Sequence, residues 1–273
     1  MSNNLGGLDV YRSQLTNSRV RRALRLAPAV FVALWSVLLA QSAMAQSTIF
    51  NIPSTDTVDM GKAYFEIDFL PQAPGPDVGA ILTIYNPRLV VGLPHNAEVG
   101  VNFPIYHSSD YVDPSSFVYI QPNIKWKFFK NDAMGLAATA GAVVNVPLNS
   151  RDGQLSWAYI YGNISKKIMA AKGARVTAGP YGVIAKQDDP VKVGFLGTRG
   201  GILLGYEQPL GGPVSFVADW FSGKNSIGYF TPGISVTLPH SGLLNIGYSF
   251  GNDSISDSTI KNRFLFVYYG VTF

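Results

Sequence analysis

The 273-residue chain contains no cysteine, which excludes disulfide bridges, thiolate catalysis and cysteine-ligated zinc. Charge is scarce as well: Asp, Glu, Lys and Arg make up 14% of the residues, against about 25% in ordinary soluble domains. After residue 45 no uninterrupted apolar run reaches the length of about 18 residues expected of a membrane-spanning helix. Apolar residues are nonetheless 47% of the chain, finely divided among polar ones. That combination fits strands whose two faces meet different solvents.

Catalytic signatures are equally sparse. No metal-ligand spacing, phosphate loop or dinucleotide fingerprint occurs, and "GTRGG" at 197 to 201 lacks the lysine and following Ser or Thr of a P-loop. No cofactor and no metal are therefore expected. The three histidines, His95, His107 and His240, fall in predicted connections. "HSS" at 107 to 109 raises lipid hydrolysis as one reading, but it lacks the His-x-Ser strand arrangement of the outer-membrane phospholipases.

The amino terminus carries an address. Arg12, Arg19, Arg21, Arg22 and Arg25 precede "LAPAVFVALWSVLLA", and Ala43-Met44-Ala45 follows. This is the order of a secretory signal peptide, with cleavage expected after Ala45. The alternative, an uncleaved anchor, asks for a longer span than residues 26 to 40 provide. Without the leader's five arginines and Asp9, the basic and acidic residues balance at sixteen each. A neutral mature chain offers no general basic surface for nucleic acid.

Period-2 alternation bounded by turn residues predicts twelve strands: 60–70, 80–93, 97–106, 117–129, 135–148, 156–168, 175–186, 196–208, 213–222, 227–239, 243–251 and 263–273. In "IQPNIKWKF", Ile120, Pro122, Ile124, Trp126 and Phe128 share one side and Gln121, Asn123, Lys125 and Lys127 the other. A soluble sandwich would also alternate, so the connections discriminate better. Those after even strands are short and those after odd strands longer, the rhythm of an outer-membrane barrel, with "GKNS" at 223 to 226 as the exception. The expected fold is all-β: a transmembrane antiparallel up-and-down barrel of about 12 strands, with 10 or 14 as neighbours. Residues 1–45 would be the signal peptide, 46–58 a periplasmic segment and 59–273 the barrel, in the bacterial outer membrane.

The chain closes on "FLFVYYGVTF", whose Leu265, Val267, Tyr269, Val271 and Phe273 would face lipid. This terminus resembles the carboxy-terminal assembly signal of Gram-negative outer-membrane β-barrels, with Tyr269, Val271 and Phe273 as its matching positions. The resemblance implies the barrel-assembly machinery and outer-membrane lipids as partners. In addition, "YNPRLVVGLPHNAEVGVNFPIY" at 85 to 106 resembles a strand-turn-strand pattern of the outer-membrane barrel family linked to the phenol meta-cleavage pathway, and "NIPSTDTV" at 51 to 58 is similar to exported barrels of that kind. It implies a transport-related barrel acting on a small-molecule solute.

Parity places Lys62, Glu66, Asp68, Glu98, Lys125, Lys127, Arg199, Glu207 and Asp219 in the lumen, as ion-pair networks or as a selectivity device. Tyr159, Tyr161, Phe264, Phe266 and Tyr268 also point inward, so the lumen is partly aromatic. Pro87, Pro104, Pro122, Pro147, Pro180 and Pro232 interrupt strands; Pro104 and Pro147 are expected at rims, and the others at bulges or ladder breaks. The reading is a monomeric, non-enzymatic, narrow channel or transporter for small hydrophobic or amphipathic solutes. A plugged structural or adhesive barrel and an outer-membrane lipid hydrolase are the alternatives.

Overall fold

The computed structural model describes residues 47–72, 82–109, 115–148, 155–185, 195–252 and 263–273. The expected signal peptide with its cleavage site, and much of the longer connections, lie outside these residues.

Alternating apolar and polar side chains produce β1 (Ala63–Pro71), β2 (Leu82–Leu93), β3 (Ala97–Asn102), β4 (Ile105–Ser108), β5 (Ser115–Asn131), β6 (Leu136–Pro147), β7 (Trp157–Ile168), β8 (Ala174–Ala185), β9 (Gly200–Gly211), β10 (Val214–Phe221), β11 (Tyr229–Leu238), β12 (Gly242–Tyr248), β13 (Phe250–Gly251) and β14 (Leu265–Thr272). β3 and β4 keep one register against β2, with Arg88 opposite Asn102 and Tyr85 opposite Ile105. They form one wall strand interrupted at Phe103 and Pro104. β12 and β13 share a register against β11 in the same way. Twelve wall strands result, each antiparallel to its neighbours, and β1 pairs with both β2 and β14 to close the ring. Ala63 and Phe273 seal the seam with reciprocal backbone bonds of 2.9 Å.

The distribution of polarity is inverted relative to a soluble protein. On β1, Phe65, Ile67 and Phe69 are exposed while Glu66 and Asp68 are 1% exposed. Ile124, Trp126 and Phe128 face out from β5, and Lys125 is buried between them. An apolar outer wall around a polar interior is stable only where hydrocarbon surrounds it and no sheet edge is left open.

Connections sort by length. At the end carrying Ala63 and Phe273, here the terminal end, they run over 94–96, 132–135, 169–173, 212–213 and 239–241. At the opposite, loop end they run over 72–81, 109–114, 148–156, 186–199, 222–228 and 252–264, each longer than any at the terminal end. The apparent exception at "GKNS" disappears, because β10 stops at Phe221 and β11 starts only at Tyr229. His95 and Asn96, and likewise His240 and Ser241, have φ near 60° in tight turns. Two of the three histidines thus serve hairpin geometry.

The prolines break the ladder without bulging it. Pairing of β5 with β6 skips Gln121 and Pro122 in unchanged register, and pairing of β7 with β8 skips the steps at Pro180 and Gly179. Pro104 lies in the gap between β3 and β4, and Pro87 faces that gap from β2, its carbonyl accepting the Phe103 N–H at 2.9 Å. The bulges lie elsewhere, between Lys127 and Phe129 and between Val214 and Ser215. The first lets Phe128 and Phe129 both face outward, which strict alternation forbids.

One expectation is corrected outright. Residues 47–58 do not hang outside the barrel as a periplasmic segment: Ile49, Phe50, Ile52 and Val58 are at most 1% exposed and lie inside the ring. The segment turns back on itself, with Ile49 N–H donating to Ile52 O at 2.9 Å and Ser54 N–H to Ser47 O at 3.1 Å. Its apolar side chains are sheltered there from both water and the terminal rim.

Candidate functional site

The inserted segment is a plug held by wall side chains at three heights. At its tip, Asp219 of β10 accepts the backbone N–H groups of Phe50, Asn51 and Ile52 through Oδ2, at 3.0, 2.5 and 2.9 Å. Successive N–H groups converging on one carboxylate form an anion-holding concavity. Tyr268 Oη donates to Asn51 Oδ1 at 2.9 Å, and the ring of Phe50 meets Phe266 and Tyr268 edge-on.

Glycines clear the space for that tip. A Cβ on Gly205 of β9 would collide with Cδ1 of both Ile49 and Ile52, and one on Gly247 of β12 would lie 2.7 Å from Phe50 Cζ. Glycine weakens a strand interior, so its use here reflects close approach of the plug.

Lower down, Asn163 Nδ2 donates to Pro53 O at 2.6 Å, and Thr55 and Ser165 join hydroxyls at 2.5 Å. Arg175 of β8 grips Glu207 of β9 with Nε and Nη2, at 2.5 and 2.6 Å, and turns Nη1 to Asp56 of the plug. Burial works to raise the Asp56 carboxyl, but the adjacent Arg175 guanidinium together with Lys127 and Lys125 outweighs it and holds Asp56 below its ordinary 3.8. Nearby, Lys125 Nζ pairs with Glu98 Oε1 at 2.9 Å and donates to Ser47 O at 2.8 Å. Glu98 in turn accepts Ser47 Oγ–H and the Val58 N–H, at 2.5 and 2.7 Å.

Between the plug tip and the loop end lies a cavity of about 700 Å³ with two unlike walls. One wall, from β1 to β6, presents Asp68, Asn86, Arg88, Asn102, Gln121 and Asn145, with the apolar Leu82, Ile84 and Tyr106 toward the loop end. Arg88 Nη1 bonds Glu66 Oε1 at 2.7 Å and lies 3.5 Å from Asp68 Oδ2, which also accepts Asn86 Nδ2–H at 2.7 Å. The facing wall is a run of rings: Trp157, Tyr159, Phe221, Tyr229, Phe266 and Tyr268, each within 6.2 Å of the next between centroids. Asn225, from the 222–228 connection, donates to Tyr181 Oη at 2.8 Å and to Thr198 O at 2.9 Å, pinning that connection at the cavity's edge.

Among the residues expected in the lumen, Glu66, Asp68, Glu98, Lys125 and Asp219 are buried there, and Glu207 is inside with Arg175. Lys127 is half-buried near the terminal end, close enough to help hold the charge on Asp56. Lys62 and Arg199 are exposed instead. Each falls one residue before its strand begins, at Ala63 and Gly200, where alternation no longer fixes a face. Sequence reasoning missed Arg88 and Arg175, although both share inward parity with buried neighbours, Val90 and Thr177. Tyr269 and Val271 lie on the outward face of the last strand and Phe273 one residue beyond its end, with Tyr269 and Phe273 exposed.

His107 has a partner other than the one its sequence neighbours suggested. Its Nδ1 lies 2.9 Å from Ser116 Oγ across β4 and β5, exposed and turned away from the inward-facing Tyr106. Among the described residues no group is bonded to the other ring nitrogen.

The sequence matches no protein-family model and no curated protein. In structure it is similar to an outer membrane channel from Pseudomonas putida F1, with a TM-score of 0.58 over 80% of this chain and 97% of that one at 12% identity. The fold is that of an outer-membrane β-barrel. The outer membrane phospholipase OMPLA of Salmonella typhi, solved as a dimer with calcium, scores 0.45 over 84% of this barrel's chain and 94% of its own at 13% identity. Phospholipase A from Escherichia coli scores 0.43 over 79% and 96%, also at 13%. Within this barrel the inserted segment fills the lower lumen, and above it lies a compartment lined by polar side chains of β1 to β6 and by the rings of β7 to β14.

Proposed function

We propose that the protein is a narrow channel of the bacterial outer membrane through which small hydrophobic or amphipathic solutes pass, with residues 47–58 as its gate. The observation that carries this reading is the two-walled cavity above the plug. Ligand sites are mostly apolar with a few placed polar groups, and the facing ring wall and amide wall supply both. The plug is held by side-chain hydrogen bonds, ion pairs and apolar packing rather than as a strand of the sheet, so it is displaceable without breaking the wall. Solute enters the cavity from the loop end, and displacement of the plug opens the way to the terminal end.

A second reading, a plugged structural barrel, draws support from the number of polar contacts holding the plug. Planar-bilayer conductance and solute uptake into proteoliposomes separate the two, using the wild type and Asp219→Ala. The channel reading expects small, rare openings in the wild type and frequent ones in the variant. Baseline conductance and no uptake from both proteins would leave the structural barrel. Ester hydrolysis by the His107 and Ser116 pair is tested by lipase assay with His107→Ala, for which we expect no change from the wild type.

A further inference from the structure

We infer that the cavity above the plug selects organic amines: solutes with an ammonium head on an apolar, preferably aromatic, body. The inference rests on the channel reading and names the solute class.

The argument starts from charge. Around the cavity, among the described residues, Glu66 and Asp68 share a single guanidinium, Arg88, while Asp219 beneath the floor is met by backbone N–H dipoles and by no cation. Counted as ionised, these four groups carry a formal surplus of negative charge. A carboxylate solute drawn to Arg88 would add an anion to that surplus, whereas an ammonium supplies the missing cation.

Hydrogen bonding points the same way. Asp68 Oδ1 and Asn86 Oδ1 are buried acceptors with no partner, side by side on the polar wall. Buried acceptors without donors are costly, and an ammonium has three donors to give. Its bond to Asp68 would be charge-assisted and strengthened by the low dielectric of an aromatic-walled space. Unpartnered donors on Asn51 Nδ2 and Asn145 Nδ2 remain at the cavity's margin for a second polar group or for water.

The opposite wall completes the fit. Tyr159, Tyr229 and Phe266 line the same cavity as Asp68, and aromatic rings attract both apolar bodies and cations. Anchoring the head on β1 and β2 and stacking the body on β7, β11 and β14 uses both walls at once.

Benzylamine, benzyl alcohol and benzoate share one body and differ in the head. Their binding to the purified full-length mature protein in detergent is measured by quenching of Trp157, with Trp157→Phe and empty micelles as blanks. Benzylamine is expected to bind about tenfold tighter than benzyl alcohol, the order of one charge-assisted hydrogen bond, with benzoate weakest. In Asp68→Asn the three affinities should fall within about twofold of one another. Benzoate binding as well as benzylamine, or an amine preference that survives Asp68→Asn, overturns the inference. Should the variant fail to fold, the wild-type order alone decides. Equal binding of all three heads removes the amine and leaves the channel standing, while silent bilayers after plug release remove the channel whatever binds.

Discussion

Asp219 holds Phe50 by its backbone N–H at 3.0 Å, across 169 residues of sequence, and the same oxygen takes the next two N–H groups. Asp219→Ala leaves three buried donors unpaired and should weaken plug docking by on the order of 3 kcal/mol. Chymotrypsin reads this directly. Phe50 is fully buried in the wild type and should be resistant, whereas the variant is cut there, as mass analysis of the amino-terminal fragment would reveal. Continued resistance would mean that the lower contacts suffice.

The ion pair of Asp56 with Arg175 makes docking sensitive to acid. The docked Asp56 carboxyl lies below its ordinary 3.8, so its contribution is complete above that value and is lost as pH falls through the lower, docked one. Asp56 should therefore contribute a rise in conductance below about pH 4. Asp56→Asn removes the carboxyl and should abolish this acid step.

Gly205 offers a steric test that leaves the wall's hydrogen bonds intact. Gly205→Ala pushes a methyl into Cδ1 of Ile49 and Ile52, an overpacking cost of about 1 to 3 kcal/mol borne by the plug. Channel openings should become more frequent while heat-modified gel mobility stays wild-type. Adding Ile49→Val, which deletes one of the clashing methyls, should return openings toward wild-type frequency.

Lys125 and Glu98 form a pair buried within the wall. Lys125→Met strands Glu98 without its cation and should cost about 3 to 5 kcal/mol, seen as a lower unfolding temperature in detergent. Lys125→Met with Glu98→Gln should recover most of that loss. If the double variant is no better than the single, the pair is not coupled as its geometry indicates.

The wall was legible in the sequence because a membrane enforces it. Hydrocarbon outside and polar groups within compel strict alternation, and the expected facing of Glu66, Asp68, Glu98, Lys125 and Asp219 follows from parity alone. Parity failed at Lys62 and Arg199, where a one-residue uncertainty in a strand's start releases the side chain. It also failed at Phe128 and Phe129, since a bulge has no reliable sequence mark.

The plug was not legible, for a different reason. "STIFNIPSTDTV" has neither period, and its partners lie between 40 residues away, at Glu98, and 217 residues away, at Tyr268. Nothing local distinguishes such a stretch from an extramembrane tail. The one hint was distant: glycines 205, 233 and 247 at strand interiors, each cleared for an apolar plug side chain.

The seam between Ala63 and Phe273 also sets an order of events. The plug segment precedes every described strand and β14 follows all the others, so no enclosed lumen exists until β14 has been made and paired. Residues 47–58 must wait, unsheltered, through the synthesis of everything that will surround them. Their lone phenylalanine and few aliphatics among hydroxyl-bearing neighbours suit that interval, being too sparse to aggregate yet sufficient to lodge once the cylinder shuts.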